Sequence, residues 1–194
     1  MIYWVGILIV FLIALLVFRF FVRRDYSRKG SLSFFSTLME FLIFGIHANL
    51  PYLYLSTPWP SLPPFPENTL QFGLGLGFSA LGLLATLVIM AHLGFSTTIG
   101  GQPEKLRQSG PYRWSRNPQL LTYGFLLLGC VILYPSWQAA AWFVLYGAIA
   151  QIMVITEEEH LEVLFGEEYR NFSSRVPRYI RFSPDGSTLP ETKE

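Results

Sequence analysis

"QLLTYGFLLLGCVILYPSWQAAAWFVLYGAIAQIMVI", residues 119–155, is two uncharged apolar runs joined by Tyr134-Pro135-Ser136. A membrane crossing needs about 20 apolar residues. The second run, Trp137 to Ile155, is long enough. The first, Gln119 to Leu133, is marginal, which implies a span that is short, tilted or partly buried by its neighbours. A three-residue connection returns the chain to the side it left, so the pair reads as a tight helical hairpin in a bilayer.

The rest of the chain agrees with that reading. Of 194 residues, 52% are hydrophobic and only 14% are charged, whereas a soluble domain carries about 25% charged residues. Three more apolar runs precede the hairpin: Ile2 to Phe18, about Phe34 to Leu55, and about Thr69 to Leu93. The first has no basic start and is followed by arginines, so it reads as a retained helix and not a cleaved signal. The fold class is therefore an all-α integral membrane protein with about five transmembrane helices, the last two forming the hairpin.

Charge placement gives an orientation. All 14 lysines and arginines fall in three segments: Arg19 to Lys29, Lys105 to Arg116, and Arg170 to Lys193. The proline-rich connection Ser56 to Asn68 and the hairpin turn contain none. Basic residues concentrate on the cytoplasmic side, which places the amino terminus outside and the carboxyl terminus inside. The basic loops suit anionic lipid headgroups as well as topology, and nothing points to nucleic acid.

Beyond the hairpin, Leu161, Leu164, Phe165, Tyr169 and Phe172 recur at helical spacing. This predicts an amphipathic cytoplasmic helix, N-capped by Thr156, with Glu157 to Glu159 at its positive end and Pro177 limiting it. Residues 1–93 are expected to form the first three spans and 94–182 a core of cytoplasmic loop, hairpin and terminal helix. Residues 183–194 read as a disordered tail.

Several motifs have plainer readings. "GLGLG", Gly73 to Gly77, lacks the strand that a dinucleotide loop needs, and lets a neighbouring helix approach through Gly73 and Gly77. Ser79 in "GFSA" would need His47 or His92 as a base to act as a nucleophile, and otherwise serves as helix packing. One Glu-x-x-His and three histidines do not make a di-iron site, so no metal is expected. Cys130 reads as a small buried apolar residue. Glu40 and His47 share one face of the second span. Ionisable groups there either do chemistry or lock helices together.

The densest polar chemistry is "SGPYRWSRNP", Ser109 to Pro118. The hairpin returns the chain beside this loop, so Tyr112, Arg113, Arg116 and Asn117 should meet Glu157, Glu158, Tyr169 and Arg178. Cations, carboxylates and aromatic faces at the bilayer edge suit a small zwitterionic cofactor with an aromatic part. An amphiphilic substrate would reach the same place from the lipid.

"LG" at Leu93-Gly94, "GPYRWSRNP" from Gly110, "EEEHLEVLFGEEY" from Glu157 and "VPRYI" from Val176 together resemble the isoprenylcysteine carboxyl methyltransferase and phospholipid methyltransferase group of membrane enzymes. The resemblance covers roughly Leu93 to Ile180. It implies S-adenosylmethionine bound between the Arg-x-Pro loop and the carboxyl-terminal helix, and a membrane lipid or lipidated molecule as acceptor. On this resemblance Arg116, Asn117 and Glu158 are the residues expected to act. Cofactor contacts are expected from His92, Gly110, Pro111, Tyr112, Arg113, Pro118, Glu157 and Tyr169. Substrate contacts are expected from Arg178, Glu40 and His47.

The chain departs from the family pattern at Leu120, where tyrosine is usual, and at Arg181, where proline is frequent. Asn117 takes a place often held by histidine. A carboxylate acceptor would need only a cation to place it, and Arg116, Arg113 or Arg178 fits that need. A protonated amine would need a base, and Glu157 or Glu158 fits that one. A nicotinamide-dependent membrane reductase and a non-catalytic lipid-binding protein are the alternatives.

Overall fold

A computed structural model describes residues 1–94, 101 and 105–180, all helix and connection among the described residues. Helix α1 runs unbroken over Ile2–Lys29, α2 over Phe34–Asn49 with a 3-10 extension at Leu50–Leu53, and α3 over Thr69–Leu93. The hairpin is α4, Pro118–Leu133, and α5, Trp137–Phe165, followed by α6, Glu167–Arg175. Four of these segments are long and apolar enough to cross a membrane, and α4 is shorter. Its 16 residues span about 24 Å at 1.5 Å each, against a hydrocarbon core of roughly 30 Å. The protein is an integral membrane protein whose marginal span is the one the sequence marks.

The centre of the bundle is α1, α2 and α5. Helices α1 and α5 run parallel, as three contacts along their length show. Tyr3 Oη donates to Gln138 O at 2.6 Å, Arg19 Nη1 reaches Glu159 Oε1 at 2.9 Å, and the Tyr26 ring stacks on His160 with centroids 4.2 Å apart. Their shared face carries Val10, Ala14, Val17, Phe18 and Val22, all buried. The interval from Val17 to Val22 is a π turn, the kind of insertion that lets a helix re-aim one face. The chain then turns at Gly30, φ 68°, a left-handed position that a β-carbon would strain. Asp25 holds this turn by accepting from Ser33 N at 2.9 Å, from Ser36 Oγ at 2.6 Å and from Ser33 Oγ.

Helix α3 lies outside this centre and packs antiparallel along α4. Gln71 Nε2 donates to Ile132 O and Leu133 O at 3.0 and 3.2 Å. Further along, Ser79 Oγ donates to Leu126 O at 3.3 Å, and Thr86 and Thr122 hydroxyls meet at 2.9 Å. Apolar surface gains little from leaving lipid for protein, so close backbone approach and such hydrogen bonds hold membrane helices together. The packing role read for Ser79 is the one it occupies.

Three expectations need correction. Gly73 and Gly77 face open space, and the close approach is made by Gly75, Gly82 and Gly129. The glycine-rich string does pack against a neighbouring helix, but through Gly75, two residues from each of the glycines expected to do so. Thr156 is not an N-cap: its hydroxyl donates to Ile152 O at 3.0 Å inside a continuous α5, because the apolar run before it supplies the preceding turns. The break falls instead at Gly166, φ 52°, and the terminal amphipathic helix is the short α6. The predicted tail, 183–194, and Arg181 lie outside the described residues.

Candidate functional site

The loop before α4 is built to present a few side chains inward. Gly110 has φ 59° and opens a 3-10 turn over Gly110–Arg113 that Pro111 helps to fix. His92 closes over this glycine, since a β-carbon there would sit 3.2 Å from its Nε2. The turn drives Tyr112 inward, where Oη donates to Gln119 Oε1 at 2.8 Å. Arg113 and Trp114 point outward and are exposed.

The next residues are joined to the chain's last described segment. Arg116 N donates to Pro177 O at 3.0 Å. Ser115 Oγ donates to Arg178 O at 3.2 Å, and Asn117 Nδ2 donates to the same carbonyl at 3.1 Å. Asn117 and Ser115 are buried, so these bonds satisfy backbone that would otherwise be orphaned at the start of α4. "SRNP" and "VPR", 61 residues apart, are therefore one piece of structure.

Glu158 is the hub of that piece. Arg178 binds its Oε2 through Nε at 3.0 Å and Nη2 at 2.5 Å. Arg116 Nη1 lies 2.9 Å from Oε1, close enough for charge attraction but without hydrogen-bond alignment, so Oε1 keeps an unused lone pair. Arg116 Nη1 also donates to Tyr169 Oη at 3.1 Å, and the guanidinium carbon lies 6.0 Å from that ring's centroid. Its Nε is buried and makes no hydrogen bond among the described residues. Burial pushes the Tyr169 phenol up to about 12, with the Glu158 charge adding to the effect and the two arginines partly offsetting it. Tyr169 is thus a neutral phenol throughout the physiological range.

These groups open onto a cavity of about 440 Å³, within the roughly 300–1,000 Å³ usual for small-molecule sites. Of the residues singled out from sequence, Tyr112, Arg116, Asn117, Glu157, Glu158, Tyr169 and Glu40 line it. Arg178 acts one contact behind, through Glu158. His92, Gly110, Pro111 and Pro118 shape the wall without lining it.

Two of the expected residues lie away from the cavity and its wall. Arg113 is turned away for the reason given above. His47 is fully buried elsewhere: its Nε2 donates to Trp142 O at 3.1 Å, Trp142 Nε1 donates back to His47 O at 2.7 Å, and the two rings stack. Glu40 and His47 do share a helix face, but two turns apart they reach different surroundings, one the cavity and the other a pin between α2 and α5.

Sequence reading missed Tyr26, Gln119 and Tyr123, which also line the cavity. Tyr26 sits within "RRDYSRK", where the surrounding charges read as topology and masked one inward-facing ring. Leu120, the departure from the expected tyrosine, lines the cavity too, and its carbonyl accepts from Tyr146 Oη at 2.6 Å.

A protein-family model described as phospholipid methyltransferase matches residues 70–168. The match spans α3, the loop, the hairpin and the start of α6, so it contains Arg116, Asn117, Glu157 and Glu158. It leaves out α1 and α2, which bring Tyr26 and Glu40. No curated protein and no solved structure matches the chain.

Proposed function

The chain belongs to the phospholipid methyltransferase family, and from that premise we propose that it methylates the amine head of a membrane amphiphile with S-adenosylmethionine. As a member of that family it is a membrane methyltransferase, which speaks against the nicotinamide reductase reading. The cofactor and the acceptor class rest on the site's chemistry.

One observation carries the reading: a buried donor and a buried acceptor without hydrogen bonds, Arg116 Nε and Glu158 Oε1, belong to adjacent side chains. An amino-acid zwitterion offers the complementary pair, a carboxylate for the guanidinium and an ammonium for the carboxylate. The aromatic cavity walls suit a flat base and a sulfonium cation. When bound, S-adenosylmethionine supplies a methyl group on positively charged sulfur.

The protein's part is then to hold two reactants in line and keep water out. Arg178 and Arg116 fix Glu158. The 115–117 backbone, tied to 177–178, fixes Arg116. Tyr112, locked on Gln119, closes the loop side.

The amine is favoured over a carboxylate acceptor because Arg116 and Arg178 are already engaged by Glu158, Arg107 donates to Leu93 O at 3.5 Å, and Lys105 is exposed at the loop edge. Glu157 and Glu40 line the cavity without a salt bridge among the described residues. An incoming anion would meet carboxylates, and an incoming cation would be held by them. Residues 94–182 form the core of this activity, with α1 and α2 supplying one wall.

Binding tests the cofactor assignment. Calorimetry on purified protein in lipid bilayers should give saturable S-adenosylmethionine binding, weakened at least about tenfold by Arg116→Ala, the loss expected for one charge-assisted contact. Undiminished binding by the variant would remove Arg116 from the site. The proposed orientation puts the cavity on the cytoplasmic side. In a Cys130→Ser background, Ser61→Cys should react with an impermeant thiol reagent on intact cells, and Ser109→Cys only after permeabilisation. The reverse pattern would invert the topology.

A further inference from the structure

The cavity has a second acidic element besides Glu158. Glu157 enters from α5, and Glu40 enters from α2, seven residues beyond the N-cap Ser33 and so roughly 10 Å along the helix. The two carboxylates act on one another electrostatically, and both act on Tyr26, which lines the same cavity. Tyr112 feels Glu157 from the loop side, and Lys105 and Arg107 line the same cavity near the loop. Neither Glu40 nor Glu157 has a salt bridge among the described residues. Both sit in a segment long enough to cross the bilayer, where an ionisable side chain is costly and is kept for a task. Arg116 and Arg178 are turned to Glu158 instead, and Arg107 donates to Leu93 O at 3.5 Å.

Two carboxylates lining one cavity of low dielectric repel one another, and a cation or a proton between them relieves that repulsion. An ammonium head brings both. Resting on the amine reading above, we propose that Glu40 is a catalytic residue which, with Glu157, grips the acceptor's ammonium and takes its proton before methyl transfer.

The balance is complete with the two substrates already named. One N–H bond breaks, its electrons stay on nitrogen, and the proton passes to the carboxylate. That lone pair forms the new N–C bond as the C–S bond breaks with its electrons going to sulfur. The product amine carries the positive charge that sulfur loses, and the proton on the carboxylate is released to water when the cavity opens. Glu40 lies outside the family match, so this residue would make α2 a working part of the site and not merely an anchor.

The test compares wild type with Glu40→Gln, which keeps shape and removes the base, in bilayers supplied with methyl-labelled S-adenosylmethionine and a single-chain amphiphile bearing a primary amine. Cofactor affinity should stay within about threefold, which also reports a folded site, while amphiphile binding weakens about tenfold. The turnover rate at neutral pH should fall about 100-fold, as for loss of a general base. That deficit should shrink as pH rises toward the amine's own pKa, because the acceptor then arrives already deprotonated. A merely structural role would leave the deficit flat with pH.

Glu40→Asp should recover about tenfold of the loss, and equal activity in the Asp and Gln variants would overturn the proposal. Wild-type turnover in Glu40→Gln would overturn it while leaving amine methylation intact. If wild type binds the cofactor but methylates no amine, the reading beneath it fails and the proposal with it.

Discussion

Glu158→Ala is expected to abolish measurable methyl transfer and to destabilise the protein by about 3–5 kcal/mol, the cost of stripping one partner from a buried ion pair. The side chain is 13% exposed, and Arg116 opposite it is 14% exposed, so solvent does little to screen the loss. Removing the carboxylate leaves two guanidinium groups facing one another with only Tyr169 to receive a bond from Arg116. Arg178 would then be free to leave, and with it the 177–178 backbone that positions Arg116. A displacement of an ångström at a site that works by alignment costs on the order of 100-fold in rate. Thermal unfolding in bilayers and labelled methyl transfer measure the two effects. Glu158→Gln should lose activity with a smaller stability cost, because the amide can still accept one hydrogen bond. Full activity in either variant would remove Glu158 from the mechanism.

Gly82→Leu is the second large effect, and it acts through packing alone. A β-carbon at Gly82 would run into the backbone of Leu126 and Thr122, which cannot swing aside as a side chain can. Overpacking of this kind costs about 1–3 kcal/mol or more, and here it would force α3 off α4. Thr86, Met90 and Leu93 of α3 line the cavity, so cofactor binding should fall with stability. Gly77→Leu is the control: nothing lies within 4 Å of a β-carbon there, and the variant should match wild type in unfolding temperature and in binding. Equal damage from both substitutions would contradict the α3–α4 interface.

What the sequence made legible follows from the physics that sets each feature. The spans, the hairpin and the marginal length of α4 are matters of apolar run length, which composition reports directly. The meeting of "SRNP" with the glutamates of α5 was also legible, because a hairpin must return its chain to the same face. The phase of the glycine contact was not, since Gly73, Gly75 and Gly77 differ only in which side of one helix they occupy.

The fate of Thr156 was obscured because an N-cap and a mid-helix hydroxyl have the same sequence signature until the preceding turn is seen. Arg113 and Arg116 looked interchangeable in the loop. Only the 3-10 turn at Gly110 sends one outward and lets the other reach Glu158. Glu40 and His47 shared a predicted face, yet one lines the cavity and the other pins helices. That split depends on where α5 crosses α2, which no local pattern encodes. Tyr26 was hidden for the same reason, its partners Glu40, Glu157 and His160 lying on two other helices.

The most direct test of the central claim is transfer of labelled methyl from S-adenosylmethionine by the purified protein in two kinds of bilayer. One contains phosphatidylethanolamine, and the other contains an amphiphile with a free carboxylate and no amine. Label appearing in the amine lipid, absent from the carboxylate amphiphile and lost in Glu158→Ala, is the predicted result. Label in the carboxylate amphiphile alone, or equal labelling by the variant, would contradict it.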